Sequence, residues 1–189
     1  MVEMIDSNGL QDQNFMGLIK NIKDEGSIFG RVFSLKHYTP DEKGDFEYEG
    51  KKYALKDEKN VKNTLCDKGN ALAAQRFMND AETVKATHMS VGTGAPGSKD
   101  STSTELTLPV APRVAMDPIT CPASGDANDN VVTYVCTFPA GVGTGALKEA
   151  GIFTHLTTGF MICYADFGVV TKAAADIVIF TWSLTFGTT

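Results

Sequence analysis

The stretch Ile177 to Phe186, IVIFTWSLTF, alternates with a period of two. Val178, Phe180, Trp182, Leu184 and Phe186 fall on one side, and Ile177, Ile179, Thr181, Ser183 and Thr185 on the other. That spacing is a strand, because a helix would scatter the five large side chains around its axis. Residues 131–138 repeat the pattern, with Val132, Tyr134, Cys136 and Phe138 on one face. The expected core is therefore Val132, Tyr134, Phe138, Val178, Phe180, Trp182, Leu184 and Phe186. A third strand is predicted over 159–167, and shorter ones over 87–91, 104–108 and 151–154. Turns fall at Gly92-Thr93-Gly94, Pro139-Ala140-Gly141 and Thr157-Thr158-Gly159. Short strands punctuated by Gly and Pro predict a mainly β chain, a β-sandwich or jelly-roll-like domain. One helix is expected at about 64–80, where Thr64 and Asp67 make a capping-box pattern and Leu65, Leu72, Ala73 and Phe77 recur at helical spacing. Gly69 weakens it.

Charge divides the chain more sharply than its net value of -6 suggests. Residues 1–62 carry 10 basic and 12 acidic side chains, whereas residues 100–189 carry 3 and 8. The expected organisation is an N-terminal arm over 1–62 and a β-sandwich domain over 63–189. Within the arm, Phe46-Glu47-Tyr48 and Lys52-Tyr53-Ala54-Leu55 flank Glu49-Gly50-Lys51 as a small hairpin. Met16-Gly17-Leu18-Ile19 and the patch from Ile28 to Phe33 are too short to build a core of their own, so the arm must lie on its own domain or on a neighbour. Phe29 and Phe33 are its interface candidates. The charge-poor end falls below what a free domain exposes for solubility, and reads as surface buried against partners. On its last strand Ile177 and Ile179 stand opposite the expected core face, to be covered by a neighbouring subunit or by the arm.

An acidic chain is a poor fit for coating phosphates, so no nucleic-acid partner is expected. No stretch approaches the ~18 apolar residues of a membrane helix, and the start lacks a basic n-region before an apolar one, so a soluble protein with no membrane partner is expected. Gly92 to Lys99 resembles a phosphate-binding loop, but Ser98 stands where the lysine must be and Pro96 removes an N–H. Gly141-Val142-Gly143-Thr144-Gly145-Ala146 matches GxGxxA, yet Leu147 to Gly151 leaves only about one helical turn after it, where the motif needs a full helix. Asp126-Ala127-Asn128-Asp129-Asn130 starts like a calcium loop, with Val131 where the sixth-place Gly belongs and Thr137 where the twelfth-place Glu belongs. His37, His88 and His155 have no partner at ligand spacing. No serine-elbow, zincin or kinase pattern occurs. The expectation is no catalytic residue, no metal, no cofactor and no enzymatic activity. Of four cysteines, Cys136 and Cys163 sit in strand patterns as buried thiols, and Cys66 makes no CxxC pair. Cys121, in Thr120-Cys121-Pro122-Ala123-Ser124-Gly125, is exposed in a loop, a free thiol or an interchain cross-link.

Six segments in order carry a family resemblance: Asn63 to Leu72, Met89-Ser90-Val91-Gly92-Thr93-Gly94, Val132 to Phe138 with Pro139-Ala140-Gly141, Glu149-Ala150-Gly151-Ile152-Phe153, Gly159-Phe160-Met161, and Thr181 to Phe186. Together, over about two thirds of the chain, they resemble tailed-bacteriophage virion proteins of the tail-fibre, collar and head-decoration type. The resemblance implies a β-sandwich structural subunit in the virion that works by assembly, with copies of itself and with capsid, neck or tail proteins. Head cement or decoration is the leading expectation. Collar, neck, baseplate or tail-fibre attachment is the alternative, and a host-surface binding module a third. Glu149 lies in an otherwise nearly uncharged stretch, and is expected to be a buried or interface acceptor for backbone N–H groups or for Arg113.

Overall fold

A computed structural model describes residues 29–77, 85–95, 100–110 and 112–186. Among the described residues the chain is mainly β, two five-stranded antiparallel sheets with one helix, and one sheet curls into a half-barrel. The first sheet holds β1 (Phe29–Pro40), β2 (Phe46–Tyr48), β3 (Lys51–Lys62), β7 (Val131–Phe138) and β10 (Ile177–Phe186), in the order β2-β3-β1-β10-β7. The second holds β4 (Thr64–Leu65), β5 (His88–Gly92), β6 (Val114–Ala115), β8 (Gly145–Phe153) and β9 (Met161–Lys172), in the order β4-β9-β8-β5-β6. Helix α1 (Asp67–Phe77) packs on β9.

The two alternating runs become neighbours. β10 pairs with β7 so that Trp182 lies opposite Tyr134 and Phe180 opposite Cys136. Phe138, Val178, Phe180, Trp182 and Leu184 are buried in the main core, while Tyr134 and Phe186 pack on it half-buried. Val132 is half-buried beside them.

Residues 29–62 correct the expected arm. β1 is the central strand of its sheet, paired along ten positions with β10 and on its other side with β3. Phe33 is fully buried, stacked on Phe167 and Phe180 at 5.4 and 5.5 Å and edge-on to Trp182 at 4.6 Å. It is a core residue, not an interface residue, because it completes the aromatic cluster whose other members come from the distant end of the sequence. The change at residue 62 marks the crossing from one sheet to the other, since β3 ends at Lys62 and β4 starts at Thr64. Asn63, at that crossing, is buried with neither side-chain polar atom paired. Phe29 enters the ladder opposite Phe186, and its side chain lies outside the described ones, as do the patch at 16–19 and residues 78–80 at the expected helix end.

Ile177 is also corrected as an interface candidate. It sits opposite Tyr38 in the β1–β10 ladder and is fully buried, yet belongs to neither core cluster. The cover it needs comes from within its own chain. Ile179 next to it on that face is half-buried.

Other expectations shift in detail. Thr64 is no helix cap: Thr64 and Leu65 pair with Tyr164 and Cys163, and the helix begins at Asp67, whose carboxylate suits the positive end. Gly69 is required rather than tolerated, because a Cβ there would meet the Ile162 carbonyl oxygen at 2.3 Å. The hairpin turn falls on Glu49 and Gly50, both with positive φ, as a two-residue turn that matches strand twist demands. The expected strand at 104–108 is irregular chain, and that at 151–154 is the end of the longer β8.

Candidate functional site

Glu149 is fully buried in β8 and its carboxylate is spent on backbone donors. Oε1 accepts the N–H of Gly94 at 3.0 Å and of Leu108 at 2.9 Å, and Oε2 accepts the N–H of Thr107 at 3.0 Å. The glycines of the Gly92-Thr93-Gly94 turn make room for it, since a Cβ on Gly92 or Gly94 would lie 2.5 or 2.3 Å from Oε1. This is the backbone acceptor expected of Glu149. Arg113 does not meet it, and instead pairs with Glu105, donates to the carbonyls of His155 and Thr158, and lies over the Phe153 ring at 3.7 Å.

Three charge-assisted hydrogen bonds hold the segment around Thr107 against β5 as an irregular edge. Thr93 N–H donates to the Leu108 carbonyl and Val110 N–H to the Val91 carbonyl. Pro109 and Pro112 deny this edge a regular row of free N–H donors, so another strand cannot simply extend the sheet there. What the edge offers outward is apolar: Leu108 is 58% exposed and Val110 36%. Beneath it, Cys66, Leu106, Phe153, Met161 and Tyr164 form a second small core.

A second polar cluster escaped the sequence reading. His37 Nε2 and Asp176 Oδ2 are 2.8 Å apart, both buried, and Asp176 also accepts the Ala173 N–H at 3.0 Å. Burial pushes the Asp176 carboxyl up, but the hydrogen bonds from Ala173, His37 and Thr39 and the charge of Lys56 together hold it below the ordinary value. Lys172, buried nearby, donates to the Pro139 carbonyl at 2.9 Å, and burial lowers its pKa against the pull of Asp176. The cluster ties β1 to the β9–β10 turn with every member engaged. A lone Asp in Ala173-Ala174-Ala175-Asp176 was the available signal, the same kind that marked Glu149.

Among the described residues no group of three metal-ligating side chains forms, and no helix is long and apolar enough to cross a membrane. Gly141, Gly143 and Gly145 all have positive φ and lead into strand β8, not into a helix. Asp129 of the acidic loop accepts the Gly125 N–H four residues before it, which closes the loop on itself. Tyr38 is stacked on Phe46 at 4.4 Å and Phe160 packs on the core, so both aromatics are engaged within the chain. Cys121 is exposed and unpaired to another cysteine, while Cys66, Cys136 and Cys163 are buried. Burial, helped by Asp117, pushes the Cys136 thiol up to about 12. No family model, no curated protein and no solved structure matches the chain.

Proposed function

We propose that the protein is a non-enzymatic virion structural subunit of a tailed bacteriophage, a cement or decoration protein that binds copies of itself and of the shell by repeated contacts. The supporting observation is the edge at Leu108 and Val110. A buried carboxylate accepts two of its three hydrogen bonds from an apolar, proline-interrupted segment at the surface and the third from the Gly94 turn beside it, which is costly unless that shape is used. Side chains of such an edge fit a partner's apolar surface, and interfaces of about 800 Å² per partner, repeated by symmetry, stabilise a shell without one strong contact. The sequence resemblance supplies the virion setting. Particles purified from a lysate carrying this reading frame should contain the chain in hundreds of copies by quantitative gel. A dozen or fewer would place it at a collar, neck or tail instead, and absence would overturn the virion reading.

A further inference from the structure

The turn between β8 and β9, Thr154 to Phe160, is fastened at its base and at its tip by different chemistry. At the base, the Thr154 N–H donates to the Phe160 carbonyl at 3.2 Å, and the Thr154 hydroxyl accepts the Phe160 N–H at 3.1 Å. Gly159, with φ at 79°, lies so close to that hydroxyl that a Cβ there would stand 2.3 Å from it. None of these groups titrates. The tip is held by two basic side chains instead. Arg113, from the segment leading into β6, donates to the carbonyls of His155 at 2.8 Å and Thr158 at 2.5 Å. The His155 ring folds back over its own turn, where Nδ1 accepts the N–H groups of Thr157 and Thr158, each at 3.3 Å, and lies 3.0 Å from the Thr158 hydroxyl.

Donors converging on one lone pair place the ring proton of His155 on Nε2. An imidazolium carries a hydrogen on both nitrogens, so protonation deletes the acceptor and points an N–H at two backbone N–H groups. It also sets a positive charge beside the Arg113 guanidinium. Glu105, the carboxylate that meets Arg113, is already spent on it, with its side chain 54% exposed. On β5, His88 Nδ1 donates to the Thr87 hydroxyl at 2.7 Å, which itself donates to the Thr154 carbonyl at 2.9 Å. Burial, and then the charges of His155 and Arg113, hold the His88 pKa below its ordinary value, so His88 stays neutral where an ordinary imidazole takes up its proton. The charged and titratable groups facing the tip are therefore Arg113 and His88, with Glu105 behind Arg113, and the tip's own hydrogen bonds depend on His155.

We infer that the Thr154–Phe160 turn is a pH-operated latch, closed while the His155 ring is neutral and opened at its tip when Nδ1 is protonated. Opening frees Leu156, which sits at the tip and is already exposed, and leaves the base at Thr154 closed. The latch does not depend on the virion role. Nuclear magnetic resonance on the full-length protein tests it, with pH swept across the midpoint that the His155 Cε1 proton itself reports. Backbone order parameters of Leu156, Thr157 and Thr158 should stand at about 0.85 above that midpoint and fall under about 0.6 below it, while Thr154 keeps its value. In His155→Asn, whose side-chain oxygen takes the acceptor's place and does not titrate, the tip should hold at about 0.85 throughout the sweep. A parent tip that stays ordered after the ring is protonated overturns the inference. So does a loss of order that follows the His88 or His37 ring instead, or one that His155→Asn shares across the same midpoint. Should the asparagine fail to hold the tip at any pH, the match or mismatch between the parent's ring midpoint and its loss of order decides alone.

Discussion

The charge-rich strand β3 and the charge-poor strands β8 and β9 stand in opposite sheets, and they differ in how many faces they bury. In β3 the charges lie on a strand whose outer face meets water, and its burial alternates or fails altogether. In β8 five consecutive residues, Glu149 to Phe153, are buried, because the main core lies on one side and the small core under Leu106 on the other. A strand covered on both faces holds a charge only where polar groups meet it, as the backbone N–H groups meet Glu149. Much of the charge poverty that reads as partner surface is therefore satisfied inside one chain; what remains outward includes Leu108 and Val110 beside the Glu149 clasp, with Ile119, Leu156 and Val169 exposed as well.

That comparison breaks most easily at Phe33. If β1 is core despite its charged neighbourhood, Phe33→Ala lowers unfolding free energy by about 3–5 kcal/mol in denaturant melts. A change under about 0.5 kcal/mol would return residues 29–62 to the status of an appendage. Next in size is Glu149→Gln, which turns an acceptor oxygen into an NH2 facing backbone donors and should cost about 2–3 kcal/mol. Amide exchange should rise first at Thr107 and Leu108, and unchanged exchange there would show that the edge holds itself.

The His37–Asp176 cluster contributes through pH. The folded carboxyl of Asp176 titrates below its unfolded value of about 4, so its stabilisation is present above that pH and is lost as pH falls through the folded value. Asp176→Asn should flatten the acid limb of stability below pH ~4, by about 1 kcal/mol for each unit of lowering removed. An acid limb of unchanged slope would assign it to other carboxylates. The smallest expected effect is chemical: iodoacetamide at pH ~8 should label one thiol in four in the native state, at Cys121, since thiol reactivity follows exposure and thiolate content.

How much of this was legible follows from which residues bury one face. β7 and β10 show their period because one face meets the core and the other carries Thr and Ser. β1 hides it, since a register shift between His37 and Tyr38 breaks the alternation and Ile28 to Phe33 carries Gly30 and Arg31. β3 hides it further, with Lys56, Asp57, Glu58 and Lys59 in a row. Glu149 was legible because a solitary carboxylate in an uncharged run must find donors. Asp176 had the same isolation, but its partner His37 lies 139 residues away, and only the β1–β10 pairing brings the two together.

The proposed assembly surface is the edge around Leu108 and Val110. Mass photometry or sedimentation of the full-length protein beside Leu108→Asp/Val110→Asp tests it most directly, with circular dichroism to show that both fold alike. A closed oligomer is expected for the parent chain and a monomer for the double variant. A parent that stays monomeric at assembly concentrations, or a variant that assembles as well as the parent, would contradict it.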